Sequence, residues 1–167
     1  MVIKKHIYIT LKSLDRKYQG TLFSSNVNEP VYYCKLATLE YCGWIELTFD
    51  DIINRALKNQ LRSRDFKKIL EKEIIGRTNG FQYDRHFRPM LISAVGLKRA
   101  ESIELELKRS NDFNTLESEL SSMKEFRNRA AHTWIQNTTR TFPAPSDLLR
   151  RFDLIYPILR QIYSKVT

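Results

Sequence analysis

Apolar residues recur every three or four positions along most of the chain, a spacing that predicts α-helices. The first such run places six residues on one face of a first helix. These residues are Ile3, Ile7, Leu11, Leu14, Tyr18 and Leu22. Polar residues fill positions 24–29, and Pro30 then suits the first turn of a second helix from about Val31 to Leu61. The chain is therefore expected to begin with two helices.

The second helix is the longest predicted element. Five apolar residues form its expected inward stripe, namely Leu36, Leu39, Leu47, Ile53 and Leu57. Gly43 lies in the same stripe and costs about 1 kcal/mol relative to alanine, which indicates that a neighbouring backbone passes close by. Trp44 is expected to pack in the core. Cys34 and Cys42 are separated by about 12 Å of helix, too far for a disulfide, so two buried free thiols are predicted.

Two further helices are predicted in the middle of the chain. Ser63 offers a cap for a short third helix that ends before Gly76. Gly76 and Gly80 bracket a loop, and Pro89 begins a fourth helix that continues to about Lys108. The expected core residues of this fourth helix are Leu91, Val95 and Ile103.

The last two predicted helices follow turn signals. Residues 114–117 resemble a capping box for a fifth helix, with inner residues Leu116, Leu120, Met123, Ala130 and Trp134. A sixth helix begins near Asp147, carries Phe152, Ile155, Leu159 and Ile162 inward, and is expected to kink at Pro157. Only five Gly and five Pro occur in 167 residues, too few for many hairpins. An all-α, up-and-down bundle of five to six helices is therefore predicted, as one domain over 1–167.

The net charge of +9 favours a polyanionic partner such as nucleic acid. The excess is greatest in residues 62–110, which hold twelve basic and seven acidic side chains. Six residues of this stretch could form an RNA-backbone track, namely Arg77, Arg85, His86, Arg88, Lys98 and Arg99. Four of them, Arg85, Arg88, Lys98 and Arg99, are the predicted RNA-binding residues. Phe81, Tyr83 and Phe87 could stack on bases there or belong to the core. The basic residues could equally form a solvated helix face.

The sequence predicts a cytoplasmic protein without a membrane segment, because it has no signal-peptide core and no apolar run long enough to span a bilayer. Its three histidines, His6, His86 and His132, are scattered, and no Cys or His pair has zinc-ligand spacing. No metal and no cofactor are therefore predicted.

The segment Arg127-Asn128-Arg129-Ala130-Ala131-His132 carries the most informative polar residues. On a regular helix Asn128 and His132 share a face, whereas Arg127 and His132 diverge by about 140°. One helix therefore cannot direct Arg127 and His132 at one atom. Either the helix loosens near His132, or two copies meet across a twofold axis. A homodimer is the simpler interpretation, because the chain holds one such motif.

This segment, late in an all-α chain, resembles the Arg-polar-spacer-His motif of the HEPN family. The resemblance covers about 114–136, and residues 41–46 resemble the second helix of some bacterial members. HEPN domains are helical bundles that commonly pair motif to motif, and many are metal-independent ribonucleases of toxin–antitoxin, CRISPR and phage-defence systems. The resemblance implies that Arg127, Asn128 and His132 are catalytic, that RNA is the substrate, and that a protein antitoxin or effector is a candidate partner.

RNA cleavage without metal needs a proton acceptor for the 2′-hydroxyl, a proton donor for the leaving oxygen and positive charge at the phosphorus. His132 can exchange the proton, Arg127 can bind phosphate oxygens, and Asn128 can hold the imidazole. Glu46 and Asp50 are supporting candidates that could orient His132, form an acidic metal pair, or remain a solvated acidic face. The alternatives to an endoribonuclease are a noncatalytic HEPN module for RNA, nucleotide or protein, and a purely structural dimerisation domain.

Overall fold

The computed structural model describes residues 4–57, 60–132 and 141–167. These ranges form seven α-helices and two π-helical turns, without a strand. The α-helices are α1 (Lys4–Thr21), α2 (Glu29–Leu57), α3 (Arg64–Ile69), α4 (Arg88–Val95), α5 (Leu97–Arg109), α6 (Asp112–His132) and α7 (Pro145–Lys165). The π-helical turns are Leu70–Ile75 and Tyr83–Phe87. The predicted all-α bundle is confirmed, with one more α-helix than the six expected.

Helix α2 lies at the centre of the bundle and packs against α1, α4, α6 and α7. Its buried face includes Tyr41, Ile45, Phe49 and Ile52, each without solvent exposure. The ring of Phe49 stacks on that of Phe87 with 4.2 Å between centroids, which joins α2 to the second π-helical turn. Burying these large side chains removes much apolar surface from water, so α2 organises the core on which the other helices are placed.

The inward stripe predicted for α2 is partly wrong. Leu36 and Leu47 are 44% and 57% exposed, because the buried face is rotated toward the aromatic residues and two threonines. Those threonines tolerate burial because each hydroxyl donates to the carbonyl four residues earlier, Thr38 to Cys34 and Thr48 to Trp44. The close backbone expected at Gly43 is also absent among the described residues, since a Cβ there would meet nothing within 4 Å.

Several other residues that were predicted to lie in the core are buried. Cys34 and Cys42 are buried free thiols and Trp44 is buried, as predicted, while Trp134 lies outside the described residues. In α6, Leu116, Leu120, Met123 and Ala130 are buried, and in α7 so are Phe152, Ile155, Leu159 and Ile162. The prediction for the inward face of the first helix is wrong at its last residue, because Leu22 lies after the end of α1 and is 45% exposed.

The predicted fourth helix is divided into α4 and α5 by Gly96. Its φ of 79° and ψ of 160° end α4, and its carbonyl accepts from the amide of Ala100 at the start of α5. A positive φ is costly for residues with a Cβ, so glycine suits this joint. Apolar residues keep their helical spacing before and after Gly96, so the spacing predicted one continuous helix. Because of the break at Gly96, α4 packs on α2, whereas α5 packs on α6.

Helix starts show one confirmed prediction and one error. The hydroxyl of Ser63 accepts from the amide of Asp65 and caps α3, which passes into the first π-helical turn and ends before Gly76. The capping box predicted at 114–117 is wrong, because α6 already begins at Asp112. Asn111, at φ 62°, makes the turn instead, a conformation asparagine tolerates better than most residues.

Candidate functional site

Helix α6 carries the Arg127–His132 motif past the middle of α2. Met123 and Ala130 anchor the buried side of α6, with no solvent exposure. Arg127 follows Met123 by one turn at the edge of this buried side and is half-buried, whereas Asn128 and His132 lie on the outer side and are exposed. The α-helix extends to His132, so the helix does not loosen before that residue. The two ends of the motif therefore keep their divergent directions within one chain.

Arg127 and Asn128 line a small cavity of about 190 Å³ between α6, α2 and residues 79–86. Its polar and backbone lining comes from Glu46, Asn79, Gly80, Gln82, Arg85, His86, Lys124, Arg127 and Asn128. We call this cavity the α6 pocket. His132 does not line it. The structure thus brings Arg127, Asn128, Glu46 and Arg85 together from separate parts of the sequence, without His132.

The α6 pocket carries an excess of positive charge. Arg85, Lys124 and Arg127 are cationic, and among the described residues Glu46 is the only carboxylate that lines it. The Nη2 of Arg127 lies 3.9 Å from Oε1 of Glu46, and both side chains are partly exposed. Such an ion pair contributes about 0.2–1 kcal/mol. Glu46 Oε1 accepts no hydrogen bond within the described ranges, so the pair is loose enough for Arg127 to bind an incoming anion.

Asp50 lies one turn after Glu46 on α2 and does not line the α6 pocket. Burial raises the pKa of its carboxyl to about 6, with a further contribution from the charge of Glu46. Asp50 can therefore hold a proton at a pH closer to neutrality than an ordinary aspartate. Glu46 faces Arg127 across the interface between α2 and α6.

The four predicted RNA-binding residues occupy different surroundings. Arg85 lines the α6 pocket, and Lys98 is exposed in the first turn of α5. Arg88 pairs with Glu104, at 3.2 Å between Nη2 and Oε2, and with Asp84. Arg99 donates two hydrogen bonds to the carbonyl of Lys165, at 3.0 and 2.7 Å. Arg88 and Arg99 are thus already engaged in contacts that hold the bundle, and only Arg85 reaches the cavity beside the motif.

The aromatic residues near this basic stretch belong to the core. Phe81, Tyr83 and Phe87 are 3%, 2% and 0% exposed. The second π-helical turn places Phe87 against Phe49 and Tyr83 against Phe113. The core interpretation is therefore confirmed, and the alternative of base stacking at these rings is wrong, because almost the whole surface of each ring is covered by the protein.

Two residues that line the α6 pocket were not connected to the motif by sequence reasoning, since Lys124 was given no role and His86 was placed only in the basic RNA-backbone track. The amide of Gln82 donates to Nδ1 of His86 over 3.1 Å. Burial lowers the pKa of His86, and the charge of Arg85 lowers it further. Because His86 lies far from the motif in sequence, no local pattern could have joined it to Arg127.

No family model, curated protein or solved structure matches the chain. Among the described residues no group of three or more His, Cys, Asp or Glu side chains is placed to hold a metal ion. Across the same ranges, every helix is too short or too polar to cross a membrane. The function is therefore inferred from the geometry of the α6 pocket and of the Arg127–His132 motif.

Proposed function

We propose that the chain is a homodimeric, metal-independent endoribonuclease of HEPN type, a toxin or defence effector whose catalytic residues are Arg127, Asn128 and His132. The observation that supports it is the division of the motif. Arg127 and Asn128 line a positively charged cavity, whereas His132 stands exposed one turn beyond Asn128. One chain therefore offers a phosphate-binding half and a separate, accessible imidazole, and a second copy can complete the site.

In the dimer, RNA lies between two α6 helices. His132 of one copy accepts the proton of the 2′-hydroxyl, whose oxygen attacks the neighbouring phosphorus. The bond to the 5′-oxygen breaks, and His132 of the second copy donates a proton to that leaving oxygen. Arg127 binds the phosphate oxygens as negative charge builds on them. Asn128, one turn before His132, holds the imidazole. The products are a 2′,3′-cyclic phosphate and a 5′-hydroxyl.

Incubation with single-stranded RNA in EDTA tests this proposal. Wild-type protein should yield cyclic-phosphate ends and should leave the DNA of the same sequence intact, because DNA lacks the 2′-hydroxyl. His132→Ala and Arg127→Ala should each lower the cleavage rate at least about 100-fold. His6→Ala is the matched control, because His6 is exposed on α1, and it should cut like wild type. Equal survival of RNA with wild type and His132→Ala would contradict the nuclease.

A noncatalytic RNA-binding module is the second candidate, favoured by the anion-binding character of the α6 pocket, which does not require His132. Salt-sensitive binding of RNA without cleavage would support this module over the nuclease. A structural dimerisation domain differs from both. For such a domain, charge reversal at Arg85 and Arg88 would leave every measurable partner interaction unchanged. Cytoplasmic location and an antitoxin or effector partner remain predictions that accompany the proposed nuclease.

A further inference from the structure

His86 is held in a fixed orientation at the wall of the α6 pocket. The amide of Gln82 donates to its Nδ1 over 3.1 Å, so Nδ1 acts as an acceptor. In a neutral imidazole the proton is then on Nε2, which remains available as a donor. Gly80 lies against the ring, since a Cβ at position 80 would be 2.8 Å from Cε1 and 3.1 Å from Nε2 of His86. Only a residue without a side chain lets the imidazole occupy this place.

The charges that face His86 come from three elements. Arg85 lies beside it on the second π-helical turn, Lys124 comes from α6, and Glu46 comes from α2. Burial and then the charge of Arg85 lower the pKa of His86, with a smaller contribution from Lys124, while Glu46 and the hydrogen bond with the Gln82 backbone raise it. The net shift of this pKa is downward, which favours the neutral ring in which Nδ1 accepts from the Gln82 amide. With its proton on Nε2 and with Nδ1 already accepting from Gln82, the ring can donate a hydrogen bond but has no free nitrogen to accept a proton.

We infer that the α6 pocket binds a phosphate group of the RNA strand adjacent to the one being cleaved, and that His86 donates a hydrogen bond to it from Nε2. This inference rests on the proposed function for the identity of the ligand as RNA. It assigns His86 to substrate binding and separates it from the proton transfers given to His132.

The composition of the pocket supports a phosphate as its occupant. Arg85, Lys124 and Arg127 provide three cationic donors against one carboxylate, Glu46, and hydrogen bonds from charged donors to phosphate are among the strongest in proteins. Arg127 borders the pocket and also belongs to the catalytic motif, so a phosphate here lies next to the reacting group. A cavity of about 190 Å³ is small, which suits one phosphate and its nearest sugar atoms better than a stacked base.

Two substitutions separate the Nε2 donor from the rest of the ring. His86→Asn retains an amide oxygen that can accept from Gln82 but has no group at the Nε2 position, whereas His86→Gln can place an amide N–H near that position. The probe is a 2′-O-methyl RNA oligonucleotide, which cannot be cleaved because the attacking hydroxyl is blocked. We expect His86→Asn to weaken its binding about tenfold, as for one lost hydrogen bond to a charged group. His86→Gln should remain within about threefold of wild type.

Two further measurements distinguish phosphate binding from proton transfer by His86. In wild-type protein, nitrogen NMR of the histidine rings should show His86 as the Nε2–H tautomer, and the oligonucleotide should shift its Nε2 signal more than that of His6. In cleavage assays His86→Asn should raise KM and leave both limbs of the pH–kcat profile in place. Loss of one limb would overturn the assignment, because His86 would then transfer a proton.

The inference and the proposed nuclease fail in different ways. If RNA is cut but His86→Asn binds the 2′-O-methyl oligonucleotide as tightly as wild type, the phosphate site is wrong and the nuclease stands. If RNA is not cut but His86→Asn still weakens binding while His86→Gln does not, the nuclease is wrong and the phosphate site stands.

Discussion

Replacing Asp50 by asparagine should make the protein more stable above about pH 6, and the gain should disappear toward pH 4. The Asp50 carboxyl has a pKa of about 6 in the folded protein, mainly because of burial and secondly because of Glu46, against 3.8 without these influences. Below pH 3.8 the carboxyl is protonated in both folded and unfolded chains. Between these values only the unfolded chain ionises, so the free energy of unfolding falls as the pH rises.

The magnitude follows from the size of this shift. One pKa unit corresponds to about 1.36 kcal/mol, so a rise from 3.8 to about 6 sets an upper limit of about 3 kcal/mol on the lost stability. Asp50 is only partly buried, and solvent screening reduces this limit. We therefore expect the advantage of Asp50→Asn over wild type to grow by roughly 1–1.5 kcal/mol between pH 4 and pH 8.

Urea unfolding followed by circular dichroism at several pH values measures this difference. Asp153→Asn is the matched control, because Asp153 is exposed on α7 and its substitution removes no buried charge. The difference between that control and wild type should stay constant with pH. An equally constant difference for Asp50→Asn would refute the reasoning, because it would show that Asp50 ionises alike in the folded and unfolded chains.

Three other predictions test the packing around the site. Phe87→Ala should lower the free energy of unfolding by about 3–5 kcal/mol in urea, because it empties the contact with Phe49; a loss below about 1 kcal/mol would argue against that contact. Gly80→Ala should cost about 1–3 kcal/mol, because φ is +136° there. It should also weaken RNA binding by displacing His86, and unchanged binding would count against the phosphate site. Burial raises the pKa of the Cys34 thiol to about 11 and that of the Cys42 thiol to about 12. A thiol reagent at pH 8 should therefore label the folded protein far more slowly than the urea-unfolded chain. Equal labelling rates would show that the two thiols are not buried.

The apolar spacing predicted the existence of most helices because a helix that packs on a core must repeat its apolar residues near every 3.6 positions. This worked best for α7, whose expected inward residues are all buried. The spacing gave a wrong prediction at Gly96, where it continues across a turn of the backbone. It was also wrong in α2, where Leu36 and Leu47 are exposed and aromatic side chains occupy the buried face. A buried central helix is apolar on several sides, so its periodicity does not fix which side faces inward.

Only part of the candidate site could be predicted from the sequence. Arg127, Asn128 and His132 form a local motif, so their spacing alone predicted that they share a helix and that Arg127 and His132 diverge. The sequence also predicted that residues 62–110 carry an excess of basic side chains. These basic residues, however, have different partners, because Arg88 pairs with Glu104 and Asp84, whereas Arg85 reaches the α6 pocket. Which cation is engaged and which is free depends on neighbours that are distant in sequence.

The sequence by itself determined an all-helical chain with a net positive charge and one helix on which Asn128 and His132 share a face while Arg127 diverges from His132, since these follow from residue types at short spacing. Only the tertiary structure decided that Glu46 opposes Arg127, that residues 79–86 close a cavity beside it, and that His86 stands there with Nδ1 held by a backbone amide. Helix periodicity is a property of neighbours along the chain, whereas a pocket arises where distant segments pack together.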